Sequence, residues 1–371
     1  MSNVATKVAV IGSGISGALC ASTLAKNGIS VTIFESGRGP GGRMSQRREV
    51  VGEDGRELLF DHGAPYFTAS NPEVVGLVQD WESRGLVASW NEKFASFDFS
   101  SKKFLSIEEE ESNQKYVGVP GMNSVCRALS SEPGVKSRFG LGVGKVEWLE
   151  YEDSWSLTSL DGKDLGQFGG VVTSDKSTFS SRFTNATGRP PPLDLSMVPE
   201  IAVKVKEIPV ISCFVLMLAF EQPLTSIPVK GFSFKNSENL SWAFCESSKP
   251  GRSITSERWV LHSTVKYAED VIARTGLQKP SNTILTKVAE ELFQEFQSTG
   301  LFTISQPLFK KAHRWGSAFP ATSIAADEKC LWDGNRRLAI CGDFCVSPNV
   351  EGAILSGMAA ASKFTEILSS S

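Results

Sequence analysis

The 371-residue chain has no excess of basic charge. Its 38 Lys and Arg stand against 41 Asp and Glu, for a net charge of −3 and a pI near 5.8. A nucleic-acid surface calls for the opposite balance, so no nucleic-acid partner is expected. Histidine is scarce: His62, His262 and His313 are the only three, and their spacing suits no metal site. The seven cysteines are odd in number and include no Cys-x-x-Cys pair, which excludes a disulfide framework and points to reduced thiols. Long hydrophobic runs are missing as well. The longest, Ile211 to Phe220, is too short to cross a bilayer and reads as a buried strand. Gly-x-Ser-x-Gly, Walker A and His-Glu-x-x-His sequences do not occur. With no secretory signal ahead of the first strand, the expectation is a soluble, cytoplasmic protein without a membrane span.

Apolar residues make up 41% of the chain and charged ones 21%, enough to build a sizeable core. The length suggests two interleaved domains. The chain opens as a βαβ unit: an apolar strand Lys7 to Ile11, a helix Ile15 to Lys26 stopped by Asn27-Gly28, and a second strand Val31 to Phe34. A hairpin is expected around Gly52 to Gly55. Asn71-Pro72 reads as a cap and first turn, opening a helix that ends at Gly85. Short strands between Val143 and Thr173 precede a Pro-rich crossover at 188–192. Antiparallel strands follow at 211–220, 231–234, 241–245 and 258–265, then an amphipathic helix Asn282 to Gln297. Strand Leu338 to Cys341 and a helix from Val350 to about Leu368 close the chain. The acidic run Glu108 to Glu111 reads as a solvated loop.

Gly12-Ser13-Gly14-Ile15-Ser16-Gly17 fits Gly-x-Gly-x-x-Gly between that first strand and helix, and Glu35 ends the next strand. This context makes it a dinucleotide fingerprint. Gly12 permits the tight turn, Gly14 a close pyrophosphate, and Gly17 tight packing of helix on strand. Glu35 suits ribose hydroxyls and would repel a 2′-phosphate, which disfavours NADP. Gly39-Pro40-Gly41-Gly42-Arg43-Met44 adds a second glycine-rich approach, with Arg43 able to bind pyrophosphate. Cys341-Gly342-Asp343 places a carboxylate at a strand end, and Val350-Glu351-Gly352-Ala353 opens a helix whose free N–H groups suit negative charge on a reduced flavin. Gly352 in that first turn is read as letting flavin O2 approach the backbone. Close helix packing is the other reading of this stretch.

These motifs, with Asp61-His62-Gly63-Ala64-Pro65-Tyr66-Phe67-Thr68, Tyr116 to Asn123 and His313-Arg314-Trp315, make the chain resemble the renalase-like branch of the FAD-dependent amine oxidase superfamily. The resemblance implies an α/β architecture: a discontinuous Rossmann-type FAD domain with an inserted, mainly antiparallel α+β substrate domain. Residues 1–70, 118–190 and 310–371 fall to the first; 71–117 and 191–309 fall to the second. It implies that Gly12, Gly14, Ser16, Gly17, Glu35, Gly42, Arg43 and Met44 contact the adenosine and pyrophosphate side of FAD. Gly63, Ala64, Pro65 and Tyr66 would meet the isoalloxazine, and Val143 the adenine. Asp343, Glu351, Gly352 and Ala353 would hold the ribityl and pyrimidine edge. The implied activity is hydride transfer from a small substrate, such as a dihydro isomer of NAD(P)H, to flavin, with oxygen as acceptor and hydrogen peroxide as product. An amine oxidase or desaturase, and a flavin-bound regulatory protein without turnover, are the rivals. His262 reads as a substrate-side base or a strand histidine. Trp315 reads as a stacking surface or a seam filler. Two segments depart from the family: Ser174-Asp175-Lys176 stands where Ala-x-Pro is common, and Gly316-Ser317 where a further basic residue usually follows Trp315.

Overall fold

The computed structural model describes residues 6–53, 55–105, 114–205, 208–303 and 306–368. Asp54 of the expected hairpin and the acidic run Glu108 to Glu111 lie outside them. Two sheets organise the chain. The first has six strands in the order Leu331–Asp333, Leu338–Ile340, Gly170–Thr173, Lys7–Ile11, Ser30–Glu35 and Val135–Phe139. All neighbours are parallel except the first pair. A parallel sheet must be covered on both faces, which is why its central strands are apolar throughout. On one face, Cys20, Ala21 and Leu24 of helix Ile15–Lys26 join Ala360, Ala361 and Phe364 of helix Val350–Leu368 over Val8, Val10 and Val31. On the other, the meander Val143–Leu149, Ser154–Ser159 and Asp164–Phe168 lays Val146, Trp155 and Leu157 over Ala9, Val171 and Ile340.

The second sheet has seven strands: Phe309–Pro320, Val210–Phe220, Glu257–Ser263, Leu240–Cys245, Gly231–Lys235, Phe94–Asp98 and Lys103–Leu105. Its neighbours are antiparallel except Gly231–Lys235 beside Phe94–Asp98. Strand Val210–Phe220 explains the apolar run of the sequence. Phe214, Leu216, Leu218 and Phe220 face a core closed by Val288, Leu292 and Phe296 of helix Asn282–Ser298. The alternate residues Cys213, Val215, Met217 and Ala219 pack on Leu58 and Phe60 of the hairpin Gln46–Val51/Arg56–Asp61. Both faces are buried, so alternation vanishes from the sequence.

The α/β class and the two-sheet plan agree with the expectation. Three boundaries do not. Strand Phe309–Pro320 pairs with Val210–Phe220 along its length, Val215 opposite His313 and Cys213 opposite Trp315. The division at 309/310 therefore cuts off a strand that belongs wholly to the seven-stranded sheet. The crossover at 188–192 is also too early. Leu193, Leu195, Val198 and Ile201 still pack in the core under the meander, and Val146 N–H donates to Pro192 O. Finally, the strand drawn to 265 ends at Ser263, because Thr264 caps a helix Val265–Thr275 by accepting from Tyr267 N–H at 3.1 Å. Among the described residues, no helix is long and apolar enough to cross a membrane.

Candidate functional site

A cleft lies between the carboxyl ends of the parallel strands and one flank of the seven-stranded sheet. Open sheets of this kind bind ligands in that position. Its free volume, open mouth included, is about 1170 Å³. Gly14, Ser16, Arg43, Met44, Asp343 and Ala353 line one side. Gly63, Ala64, Pro65 and Tyr66 run along it, and His262 and Trp315 face it from the seven-stranded sheet. Twelve sequence-picked residues thus converge.

The fingerprint loop owes its shape to contacts beneath it. Gly12 adopts φ +99°, and a Cβ there would stand 2.7 Å from Ser174 Oγ. A Cβ on Gly17 would strike Gly12 O, so helix and strand close only because that position is bare. Gly14 differs: nothing lies within 4 Å of where its Cβ would be, so this backbone opens directly onto the cleft. Glu35 ends its strand with its carboxylate turned back on the loop, accepting from Ser13 N–H at 2.9 Å, Ser13 Oγ at 2.7 Å and Gly37 N–H at 2.6 Å.

The two helix starts are tied together. Ser16 Oγ donates to Ala353 O at 2.6 Å, so the first turn of Ile15–Lys26 and that of Val350–Leu368 point into one space. Both bring the positive end of a helix there, although the Gly352 N–H of the second is taken by Asn349 Oδ1. Arg43 and Asp343, read from sequence as separate cofactor contacts, form a bidentate pair at 2.6 and 2.7 Å. Asp343 is 4% exposed, whereas the Arg43 side chain is 40% exposed and still reaches the cleft.

Gly12, Gly17, Glu35, Gly42, Val143, Glu351 and Gly352 do not line the cleft. Val143 is buried at the start of its strand, opposite Ser159. The Glu351 carboxylate turns away, accepting from Ser70 N–H and Asn71 N–H, both at 2.6 Å, and from Ser70 Oγ at 2.9 Å. Burial alone would raise its pKa; the Asn71 and Ser70 donors outweigh burial and lower it. Its role is to tether the last helix to the Ser70-Asn71 turn. At Gly352 the N–H donates to Asn349 Oδ1 at 2.7 Å, and a Cβ there would strike Ser347 Oγ and O and stand 2.8 Å from Ser347 N. The close passage of residue 347 is therefore reason enough for a glycine at this position.

The opposite wall is made of side chains. His262 is 9% exposed, and its Nε2 has no hydrogen-bond partner. Burial, then the Lys249 charge, lowers its pKa to about 4, so the ring is neutral at pH 7. Trp315 Nε1 donates to His62 O at 2.8 Å, and its ring sits 4.9 Å from His313 and 5.0 Å from His62. Trp315 therefore both faces the cleft and is tied to the seam through His62. Cys213 lines the cleft too, but burial pushes its thiol up to about 11, too high for a nucleophile at pH 7. Among the described residues, no group of three His, Cys, Asp or Glu side chains could hold a metal.

Sequence reasoning missed a buried quartet behind Gly63 to Tyr66. Lys249 Nζ lies 2.6 Å from Glu246 and 3.2 Å from Asp61, and Arg252 pairs with both carboxylates. Arg252 also donates to Gly118 O at 2.9 Å, and Asp61 accepts from Met122 N–H at 3.0 Å. The quartet thus welds the segments 61–68, 116–123 and 246–252. The sequence flagged the first two as motifs; nothing in it linked them to the third.

Residues 10–81 match the family model for an NAD(P)-binding Rossmann-like domain. Protoporphyrinogen oxidase 2, chloroplastic/mitochondrial, of Arabidopsis thaliana is 38% identical over 158 residues, 42% of this chain and 27% of that protein. Protoporphyrinogen oxidase, mitochondrial, of Nicotiana tabacum is 39% identical over 74 residues, 20% of this chain and 14% of that one. The chain thus spans well under half the length of these relatives. Over nearly its whole length, the structure superposes on a putrescine oxidase redesigned for cofactor binding, with TM-score 0.67, 12% identity, and 98% and 99% of the two chains covered. It does so equally on an oxidoreductase from Methanosarcina mazei, at TM-score 0.63, 12% identity, and 95% and 99% coverage. The chain has the fold of these oxidoreductases, and residues 10–81 belong to its Rossmann-like domain.

Proposed function

We propose that the protein is an FAD-dependent oxidoreductase that oxidises a small molecule in this cleft and passes the electrons to oxygen, releasing hydrogen peroxide. The observation that carries the reading is the convergence of two helix N-termini and the Arg43–Asp343 pair on one wall with an unpartnered, neutral His262 on the other. The residues fit the cofactor, because the bare Gly14 leaves open the space that a pyrophosphate needs. The segments of the six-stranded sheet act as the cofactor domain, and the seven-stranded sheet as the substrate domain.

When bound, the flavin supplies the hydride acceptor. The chain's residues do the rest. Glu35 exchanges its Ser13 and Gly37 donors for, or shares them with, the ribose hydroxyls. Arg43 and the N–H groups of the first helix turn neutralise the pyrophosphate. Gly63 to Tyr66 and the Ala353 turn border the ring. Trp315, held by His62 and His313, offers a rigid planar face that orients the substrate. His262 Nε2 accepts a hydrogen bond, or a proton where the substrate releases one. A dihydro isomer of NAD(P)H fits this equipment, because its hydride leaves an aromatic ring and needs little acid–base help.

Anaerobic mixing of the yellow protein with reductants tests the reading. Bleaching by dihydronicotinamide isomers is the expected result. Bleaching by amines alone would move the protein to the amine oxidases, and no bleaching would make it a flavin-bound protein without turnover.

A further inference from the structure

Two cations at the cleft rim are not used by the fold. Among the described residues, the side chains of Lys176 and Arg182 make no hydrogen bond and no ion pair. The nearby carboxylates are engaged elsewhere: Asp343 is bound in two hydrogen bonds by Arg43, and Asp175 accepts from Ser177 N–H at 2.9 Å and Ser177 Oγ at 2.6 Å. Arg182 stands on the short helix Ser181–Thr187, its Nη2 3.4 Å from the point where a Cβ on Gly316 would sit. Gly316 follows Trp315, whose ring lines the cleft, and Ser174, two residues before Lys176, lines it as well. The bare position at Gly316 thus leaves room for the Arg182 guanidinium, brought from another element.

We infer that Lys176 and Arg182 form an anion-recognition subsite at the rim of the cleft, selecting substrates that carry a phosphate or carboxylate and turning away amines. The inference rests on the proposed function for the identity of the cleft and narrows its substrate class. A guanidinium fork and an ammonium together suit a phosphate or carboxylate, and burial that lowers the pKa of both cations is offset when an anion arrives. An incoming ammonium would meet two like charges, with only Asp175, already accepting from Ser177, and Asp343, already bound by Arg43, to oppose them.

Lys176 gives the subsite a pH dependence. Burial lowers its pKa to about 8; Asp343 opposes this, and the Arg43 and Arg182 charges add to it. With Asp175 alongside, these are the charged groups that face it. Anion affinity should fall as pH rises through 8, where the ammonium discharges.

Calorimetric titration of the flavin-containing protein with inorganic pyrophosphate, succinate and putrescine tests this at pH 7 and pH 9. At least one anion should bind at pH 7, and Arg182→Ala and Lys176→Ala should each weaken it roughly tenfold, the scale of one charge-assisted hydrogen bond. Flavin content and melting temperature should stay as in the parent. The loss between pH 7 and pH 9 should vanish in Lys176→Arg. Equal anion affinity in parent and variants would overturn the subsite, as would putrescine binding as tightly as either anion. Loss of flavin from Arg182→Ala would assign the cations to the cofactor's pyrophosphate and equally overturn it. Anaerobic bleaching separates the two proposals. Arg182-dependent anion binding in a protein that no reductant bleaches leaves the subsite standing without the redox reaction. Bleaching with anion affinity indifferent to Arg182 leaves the reverse.

Discussion

The two walls of the cleft are built differently. The wall from the six-stranded sheet is mostly backbone: a glycine loop and two helix first turns, with the Arg43–Asp343 pair beside them and the carboxylates of Glu35 and Glu351 turned onto N–H groups outside the cleft. The wall from the seven-stranded sheet is mostly side chain: His262, Trp315 and Cys213 from three strands, with one imidazole nitrogen each on His62 and His262 left without a hydrogen-bond partner. A backbone wall suits a cofactor whose phosphates and ribose are the same in every protein. A side-chain wall can be changed one residue at a time, which suits a substrate. The comparison can be broken at the joint between the walls, at the first, or at the second.

The largest effect is expected at the joint. Asp61 lies in the buried quartet, where burial raises its pKa but Lys249 and Arg252 outweigh that and lower it. Asp61→Ala would strand two buried cations opposite Glu246 alone. Removing one partner of a buried pair costs about 3–5 kcal/mol. Denaturant unfolding should register this as a fall in midpoint. A shift under 1 kcal/mol would mean that the quartet relaxes into water and does not weld the walls.

The same contrast governs what the sequence could reveal. Gly12 to Gly17 and Glu35 were legible because a backbone site constrains neighbours in the chain: strand, turn and helix must follow within a few residues. The tie between Arg43 and Asp343 was not, since each residue had a separate plausible task and only folding sets them 2.6 Å apart. Gly352 stayed ambiguous in the sequence for a related reason. A glycine in a helix first turn admits either a ligand or a neighbouring chain, and the contact with residue 347 appears only in three dimensions. Strand Phe309–Pro320 was missed because its residues alternate only between half-buried positions, giving weak periodicity. Arg182 beside Gly316 had no local signal at all, since helix and strand lie far apart in the chain.

A smaller effect is expected at the backbone wall. Glu35→Ala removes the acceptor we propose for the ribose and also frees Ser13 N–H and Gly37 N–H. Loss of a hydrogen bond to a charged group costs roughly 1.5–3 kcal/mol. The FAD dissociation constant should rise about tenfold to a hundredfold on that scale, with the fold intact. Affinity within twofold of the parent would show that the carboxylate serves the loop alone.

The smallest effect is expected at the side-chain wall, and it concerns pH. His262 has an ordinary value of 6.5, and burial followed by the Lys249 charge lowers it to about 4 in the folded chain. Between those values the unfolded chain carries a proton on this residue and the folded chain does not. Unfolding therefore takes up a proton there, and stability must fall as pH drops from about 6.5 towards 4, levelling out below. Above 6.5 both states are neutral and the contribution is constant. One proton corresponds to a slope of about 1.4 kcal/mol per pH unit at most. His62 and His313, lowered to about 3 and about 4, add slopes of the same sign. The isolating measurement is a difference: unfolding free energy of parent and His262→Gln at each pH from 4 to 8. The parent should lose stability faster than the variant below 6.5, and the two curves should run parallel above it. Curves parallel throughout would mean that His262 keeps its ordinary pKa and is solvated in the folded chain. It would then be no buried acceptor held without a partner, and the side-chain wall would lose its one candidate for handling a proton.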